Sequence, residues 1–265
     1  MTITNTEYGH LPAVRLSAPD GAQATITLFG AHLVSWKGAQ GHERLFVSAK
    51  SALDGSAAIR GGVPVVFPQF AERGPLIKHG FARVSNWRMT ASGIEDGAAF
   101  ALFELNQSDL APELAAAWPH AFALALRVAV RDSELAMSLE VRNDGAQAFP
   151  FAAALHTYHL VDDIAAVRII GVEPAALTFT GKHDQPYEGI AGTVFLESGA
   201  GKLKLEQKGF TDAVVWNPWA ADAAAIPDMG DDEYRRFVCI EPARLGPATL
   251  DPCAVWRGEY RVTPA

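Results

Sequence analysis

Apolar residues along the chain fall in short segments, and most alternate with polar residues at a period of two. That period puts successive side chains on opposite faces of an extended strand. Residues 25–33 (TITLFGAHL), 124–130 and 135–141 carry it, and each is predicted as a strand. Further strands are predicted at 167–172, 202–206, 213–216, 237–241 and 256–262. Asp132-Ser133-Glu134 and Asn143-Asp144-Gly145 punctuate them as turns. One segment reads as helix, 112–118 (PELAAAW), with Asp109 as its cap and Pro119 as its stop. A second short helix is predicted near Asp231. Nothing repeats the strand–helix alternation of a parallel sheet. Dinucleotide fingerprints, phosphate loops and Gly-x-Ser-x-Gly elbows are missing from the sequence. The fold class is therefore all-β: one large antiparallel β-sandwich domain over residues 1–265, with one or two short helices.

Composition narrows the picture. Hydrophobic residues make up 49% of the 265 and charged residues 20%. The longest apolar runs, 61–70 and 146–155, are broken by proline and reach half of the ~20 residues a bilayer span requires. The first residues, MTITNTEYGH, lack the basic-then-apolar pattern of a secretory signal, so a soluble, cytoplasmic protein is expected. Acidic residues outnumber basic ones by 30 to 22, for a net charge of −8. That balance argues against nucleic acid or an anionic membrane as partner, and leaves room for a small anion held by a local pair of arginines. Cys239 and Cys253 are expected to be reduced thiols that form no metal cluster. The Asn106-Gln107-Ser108 sequon is then a chance match.

Four segments could carry chemistry. In 149–160 (FPFAAALHTYHL), read as a strand, Ala152, Ala154, His156 and Tyr158 share one face. His156 follows two alanines on that face, which leaves space for a ligand; the competing reading is a hydrogen-bonded core histidine. His159, three residues on, points to the other face, so the His-x-x-His spacing does not make a zinc pair. In 237–245 (FVCIEPARL), Glu241 ends an apolar strand. A carboxylate so placed is either paired, with Arg244 as the nearest candidate, or tuned for proton transfer. In 59–83, Arg60 opens a Gly-Gly-x-Pro turn, while Lys78, His79 and Arg83 surround another glycine. Guanidinium groups grip carboxylates and phosphates in bidentate fashion, so these loop cations suggest a small anionic ligand; the competing reading is a set of solvated loop charges. In 212–219, Trp216, Asn217 and Trp219 around Pro218 offer aromatic faces and an amide suited to a sugar, although such a turn more often simply closes a sandwich end. Asp228, Asp231, Asp232 and Glu233 lack calcium-loop spacing and read as a solvated patch.

Taken in order, FGAHLVSW (29–36), IRGGVPVVFPQF (59–70), HGFAR (79–83), LHTYH (155–159), VVWNPW (214–219), MGDDEY and CIEP (239–242) resemble the aldose 1-epimerase (mutarotase) superfamily. They are most like its glucose-6-phosphate 1-epimerase, or hexose-6-phosphate mutarotase, branch. The resemblance implies a β-supersandwich and reversible interconversion of the α and β anomers of a hexose 6-phosphate, without metal or other cofactor. It implies His156 as general acid, Glu241 as general base, and Arg60 and Arg83 as substrate contacts. Lys78 stands where members often have glutamine, and its charge suits a phosphate. His79, Trp216 and Asn217 complete the expected substrate contacts. The family's acidic sugar contact, within a Thr-Asp-Arg-x-Tyr-like strand, is matched to 191–195 (AGTVF), which has no acid. The expected partner is a small sugar phosphate, and the expected state a monomer. Two rivals stand beside this reading: a mutarotase for unphosphorylated aldoses, and a sugar-binding module without turnover.

Overall fold

The computed structural model describes residues 3–190 and 192–265. The chain opens with β1 (Ile3–Tyr8), β2 (Leu11–Ser17), β3 (Gln23–Thr27) and β4 (His32–Lys37). Then come β5 (Val65–Val66), β6 (Arg88–Glu95), β7 (Ala98–Asn106), helix α1 (Pro112–Ala117), β8 (Phe122–Arg131) and β9 (Glu134–Asn143). The middle of the chain supplies β10 (Phe149–Leu155), β11 (Tyr158–Leu160), β12 (Arg168–Ile170), β13 (Leu177–Thr178), β14 (His183–Tyr187), β15 (Val194–Ser198) and β16 (Gly201–Lys208). The last elements are β17 (Asp212–Asn217), helix α2 (Trp219–Ala225), β18 (Phe237–Leu250) and β19 (Val255–Pro264).

These strands form three antiparallel sheets. β1 to β4 make an N-terminal meander, and nine strands form the largest sheet, in the order β13-β12-β15-β16-β19-β9-β8-β7-β6. The third sheet runs β14-β17-β18-β10-β5, with β11 also paired to β18, and it carries the functional cleft. In the large sheet, β7, β8 and β9 alternate buried and half-buried residues, as their sequence period demands. In the third sheet β10 is covered on both faces. Phe149, Phe151, Ala153 and Leu155 enter the main core, where Phe67, Phe81, Trp118 and Phe122 pack edge to face and tilted. Ala152 and Ala154 face the other way, into a small cluster with Val66, Phe70, Val214 and Leu245 that lies under the cleft. The alternation predicted for this strand is thus what sets His156 beyond two alanines.

Several sequence-based expectations are corrected. Residues 25–33 are not one strand: β3 ends at Thr27, and the chain reverses through Gly30 (φ +77°) and Ala31 (φ +44°) before β4. Their apolar alternation persists across the turn because Phe29 packs into a separate cluster with Leu11, Val34 and Ile59. Residues 149–160 break into β10 and β11 at His156-Thr157. Asp109 does not cap α1; its carboxylate accepts the Asn106 N–H at 2.8 Å and closes a preceding turn. The helix expected near Asp231 is a single 3₁₀ turn, Glu233–Arg236, whereas the alanine-rich segment after Trp219 is helical.

Two histidines serve the fold in neutral form. His32 Nε2 lies 2.7 Å from the Gly61 carbonyl and His159 Nε2 lies 3.1 Å from the Tyr260 hydroxyl, while both Nδ1 atoms are buried without partners. Burial lowers their pKa values to about 4 and about 3, from 6.5. The unfolded chain therefore takes up protons below pH 6.5 that the folded chain refuses, and stability falls as the pH drops. At pH 5 each group costs about 2 kcal/mol relative to neutrality, set by its unfolded pKa. Buried Glu241, whose pKa is raised, acts in the opposite sense but is one group against four, since buried His79 and His156 are lowered as well. The denaturant midpoint should accordingly fall between pH 7 and pH 5, and His159→Gln should flatten that fall. A midpoint constant over this range would contradict the neutral assignment.

Candidate active site

The site grows from the break between β10 and β11. The His156 N–H donates to the Pro64 carbonyl at 3.0 Å and the Tyr158 N–H to the Gly62 carbonyl at 2.9 Å, so residues 62–64 take over the pairing there. His156 is thereby fixed over β18, its ring stacked on Tyr158 with centroids 4.9 Å apart. On β18, Glu241 pairs in register with Val214 of β17. Its side chain meets the imidazole, with Nδ1 of His156 3.2 Å from Oε1 of Glu241. The pair is 8% and 1% exposed, and neither Nδ1 nor the second carboxylate oxygen Oε2 has a hydrogen-bond partner. A cleft of about 220 Å³ opens beside them.

The cationic wall comes from two connections: Arg60 precedes β5, and Lys78, His79 and Arg83 lie in the loop between β5 and β6. Gly80 (φ +73°) lies against the Phe67 carbonyl, where a Cβ would collide, and the Phe81 N–H donates to that carbonyl at 3.0 Å. This close approach turns His79 (φ +65°) and Arg83 toward the cleft. His79 Nδ1 accepts the Ala71 N–H at 3.2 Å, so the neutral ring carries its proton on Nε2. Burial, and then Arg83, lower the His79 pKa to about 3. Arg60 is already engaged: Nε and Nη2 lie 3.2 Å and 3.1 Å from Asp228 Oδ1, and Nη1 donates to the Tyr158 hydroxyl at 3.2 Å. Arg83 is freer. Its Nη2 donates to the Lys78 carbonyl at 2.7 Å, and its buried Nε has no partner. Lys78 is exposed at the rim.

Burial pushes the Glu241 carboxyl well above its ordinary value, and Asp184 adds to the effect. Burial also drives His156 well below 6.5, followed by the neighbouring His79 and the charges of Arg83 and Arg60. Both shifts favour an uncharged pair in the free site. Neutral imidazole beside a carboxylic acid holds the same one proton as imidazolium beside carboxylate. Either arrangement carries a proton that the two groups can share, and burial favours the uncharged one.

His156, Glu241, Arg60, Lys78, His79, Arg83 and Trp216 all line the one cleft. Asn217 does not. It is fully buried, donates to the Tyr234 and Phe237 carbonyls at 2.8 Å and 2.9 Å, and accepts the Trp219 N–H, which ties the turn to the start of β18. Glu241 faces His156, and not Arg244. The acidic patch is not simply solvated: Asp228 holds Arg60, and Glu233 accepts from the Ser48 hydroxyl and from the Ala49 and Gly230 N–H groups. The cleft also contains an acid that the sequence reading missed, Asp184 on β14, opposite Trp216. Of the stretch 191–195, Ala191 lies outside the described residues, and Val194 begins β15 in the nine-stranded sheet. The usable signal was His183-Asp184-Gln185-Pro186-Tyr187, which keeps an aspartate three residues before a tyrosine. His156 and His159 diverge as expected, while His156, Glu241 and Cys239 are close enough together to share an ion.

The chain that builds this sandwich and its cleft belongs to the aldose 1-epimerase family, whose profile matches residues 12–185. It is therefore an enzyme of the isomerase class. Over 265 residues it is 35% identical to a Cenchrus ciliaris protein named "putative glucose-6-phosphate 1-epimerase", covering 91% of this chain and 80% of the relative. An Escherichia coli protein of the same name is 34% identical over 243 residues, covering 83% of this chain and 79% of the relative. The crystal structure of a "putative mutarotase" from Salmonella typhimurium matches with a TM-score of 0.88 at 27% identity, over 100% of this chain and 94% of that one. Among the described residues no helix is long and apolar enough to cross a membrane.

Proposed function

We propose that the protein interconverts the α and β anomers of a hexose 6-phosphate, glucose 6-phosphate first among them, by general acid–base ring opening and reclosure. The observation that carries this reading is the buried His156–Glu241 pair, 3.2 Å apart, at one side of a cleft whose other side is cationic. Glu241 removes the anomeric hydroxyl proton while His156 protonates the ring oxygen. The C1–O5 bond breaks as the C1 carbonyl forms. Rotation about C1–C2 and reclosure with the roles reversed give the other anomer and restore both groups. No step draws on a cofactor. Asp184 accepts from sugar hydroxyls, and His79 donates from Nε2.

The phosphate has a second task in this reading. Arg83 and Arg60 help to hold His156 below its ordinary pKa. A dianion on Arg83 and Lys78 offsets that field, raises the imidazole, and favours transfer of the pair's proton from Glu241 to His156. Binding then creates the carboxylate base and imidazolium acid that ring opening uses. In this reading the protein works as a single-domain monomer on a small metabolite of the cytoplasm, and its net charge of −8 argues against nucleic acid or an anionic membrane as partner.

Freshly dissolved α-glucose 6-phosphate should anomerise faster with catalytic amounts of protein, followed by polarimetry or proton NMR. Arg83→Met should raise KM for the phosphate ester by about 10- to 100-fold, the scale of a lost charged hydrogen bond of about 1.5–3 kcal/mol, and leave turnover of glucose nearly unchanged. Equal turnover of glucose and its 6-phosphate by the unaltered protein would remove the phosphate assignment.

A further inference from the structure

Cys239 lies two residues before Glu241 on β18, so both side chains point to the same side of the strand, and in register it faces Tyr158 beside His156. One donor atom from each of His156, Cys239 and Glu241 lies within 4.8 Å of the other two, and all three residues are buried. Two polar atoms of this group are unsatisfied, His156 Nδ1 and Glu241 Oε2. We propose that these three side chains form an inhibitory site for a soft divalent cation, Zn²⁺ above all, which excludes the sugar.

The donor set is the argument. Thiolate, imidazole and carboxylate are the ligands zinc takes, in a tetrahedron with one position open. Zinc–ligand lengths of about 2.0–2.3 Å put neighbouring donors roughly 3.3–3.6 Å apart. The imidazole and carboxylate already stand at 3.2 Å. Closing the set from a 4.8 Å limit thus asks for movements of about 1 Å, within the reach of side-chain torsions. A water would complete the tetrahedron. Binding is a proton exchange: the Cys239 S–H bond breaks, a sulfur–zinc bond forms, and the proton leaves to solvent, as does any proton on Glu241. A hard cation such as Mg²⁺, which keeps its oxygen shell, gains little from a thiol and an imidazole. The enzyme would then be silenced by free zinc and released by any thiol or chelator that lowers it. Inhibition rests on the acid–base reading above; the cation site itself does not.

Calorimetric titration of the metal-stripped protein with ZnCl₂ should show one strong site, absent with MgCl₂. Co²⁺ should give a sulfur-to-metal charge-transfer band that saturating glucose 6-phosphate bleaches. Cys239→Ala should weaken Zn²⁺ binding by at least about 100-fold, since altering a mere outer-shell partner costs about 10- to 100-fold. Its anomerase rate should stay within a few-fold of the unaltered enzyme, now insensitive to zinc. Cys253→Ser, at an exposed position, should change neither. If Cys239→Ala fails to fold, the cobalt band and its bleaching decide alone. Zinc binding that survives Cys239→Ala, or a cobalt complex without the sulfur band, overturns the site. Sulfur-ligated zinc binding with no loss of activity keeps the site and overturns the catalytic reading instead.

Discussion

Glu241→Gln should reduce the catalysed anomerisation of glucose 6-phosphate by about 10²- to 10⁴-fold, the range in which a positioned general base contributes. Glutamine keeps the shape of the side chain and cannot accept the anomeric proton at any pH of interest. The same substitution should leave the melting temperature unchanged or raise it. Glu241 is buried, its Oε2 has no partner, and its pKa is pushed up by burial and by Asp184. At neutral pH such a group costs the fold energy, because the unfolded chain ionises it freely while the folded chain resists. A residue kept at the expense of stability, whose isosteric replacement removes activity, marks an acid–base group more firmly than lost activity alone. Polarimetric initial rates and a thermal melt on the same preparation check both arms. Activity within tenfold of the unaltered enzyme would take Glu241 out of the mechanism.

How far the site could be read from the sequence depended on how each residue reaches it. Glu241 was legible because a charge at the end of an apolar strand is expensive and invites a reason. His156 was legible because β10 keeps a strict two-residue period through Ala152 and Ala154. The break after Leu155 was not legible, since the apolar run goes on through it; backbone pairing from residues 62–64, ninety residues upstream, makes the break. Asp184 escaped for a different reason. It lies on an outer strand of the third sheet, where alternation is weak and Pro186 argues against a strand at all. Asn217 misled because a polar side chain between two tryptophans looks like a sugar contact, whereas its amide is used up on three backbone groups. The protonation of the pair lay furthest from the sequence. Burial sets it first, with Arg83 and Arg60 adding to the effect on His156 and Asp184 to that on Glu241, and these groups meet only in the folded cleft.

His156→Ala should cost a similar factor in kcat, about 10²- to 10⁴-fold, with little change in KM for the phosphate ester. The split follows from geometry: Arg83 and Lys78 are free to hold the phosphate, whereas the imidazole sits against Glu241. The double variant with Glu241→Gln should be hardly slower than the worse single one. Two groups that pass one proton between them act as a unit, and removing either leaves the other without a role. Removing the ring also empties the space between the cleft and Tyr158, on which it stacks. Free imidazole at millimolar concentration should enter that space and restore part of the rate to His156→Ala, but none to Glu241→Gln. A ring that only propped up Tyr158 would show no such selectivity, and additive losses in the double variant would place the two groups in separate steps. Since burial and the arginines hold an imidazole in this place neutral, and the phosphate offsets the arginines' share, rescue should be greater with glucose 6-phosphate than with glucose, which brings no charge to shift the proton.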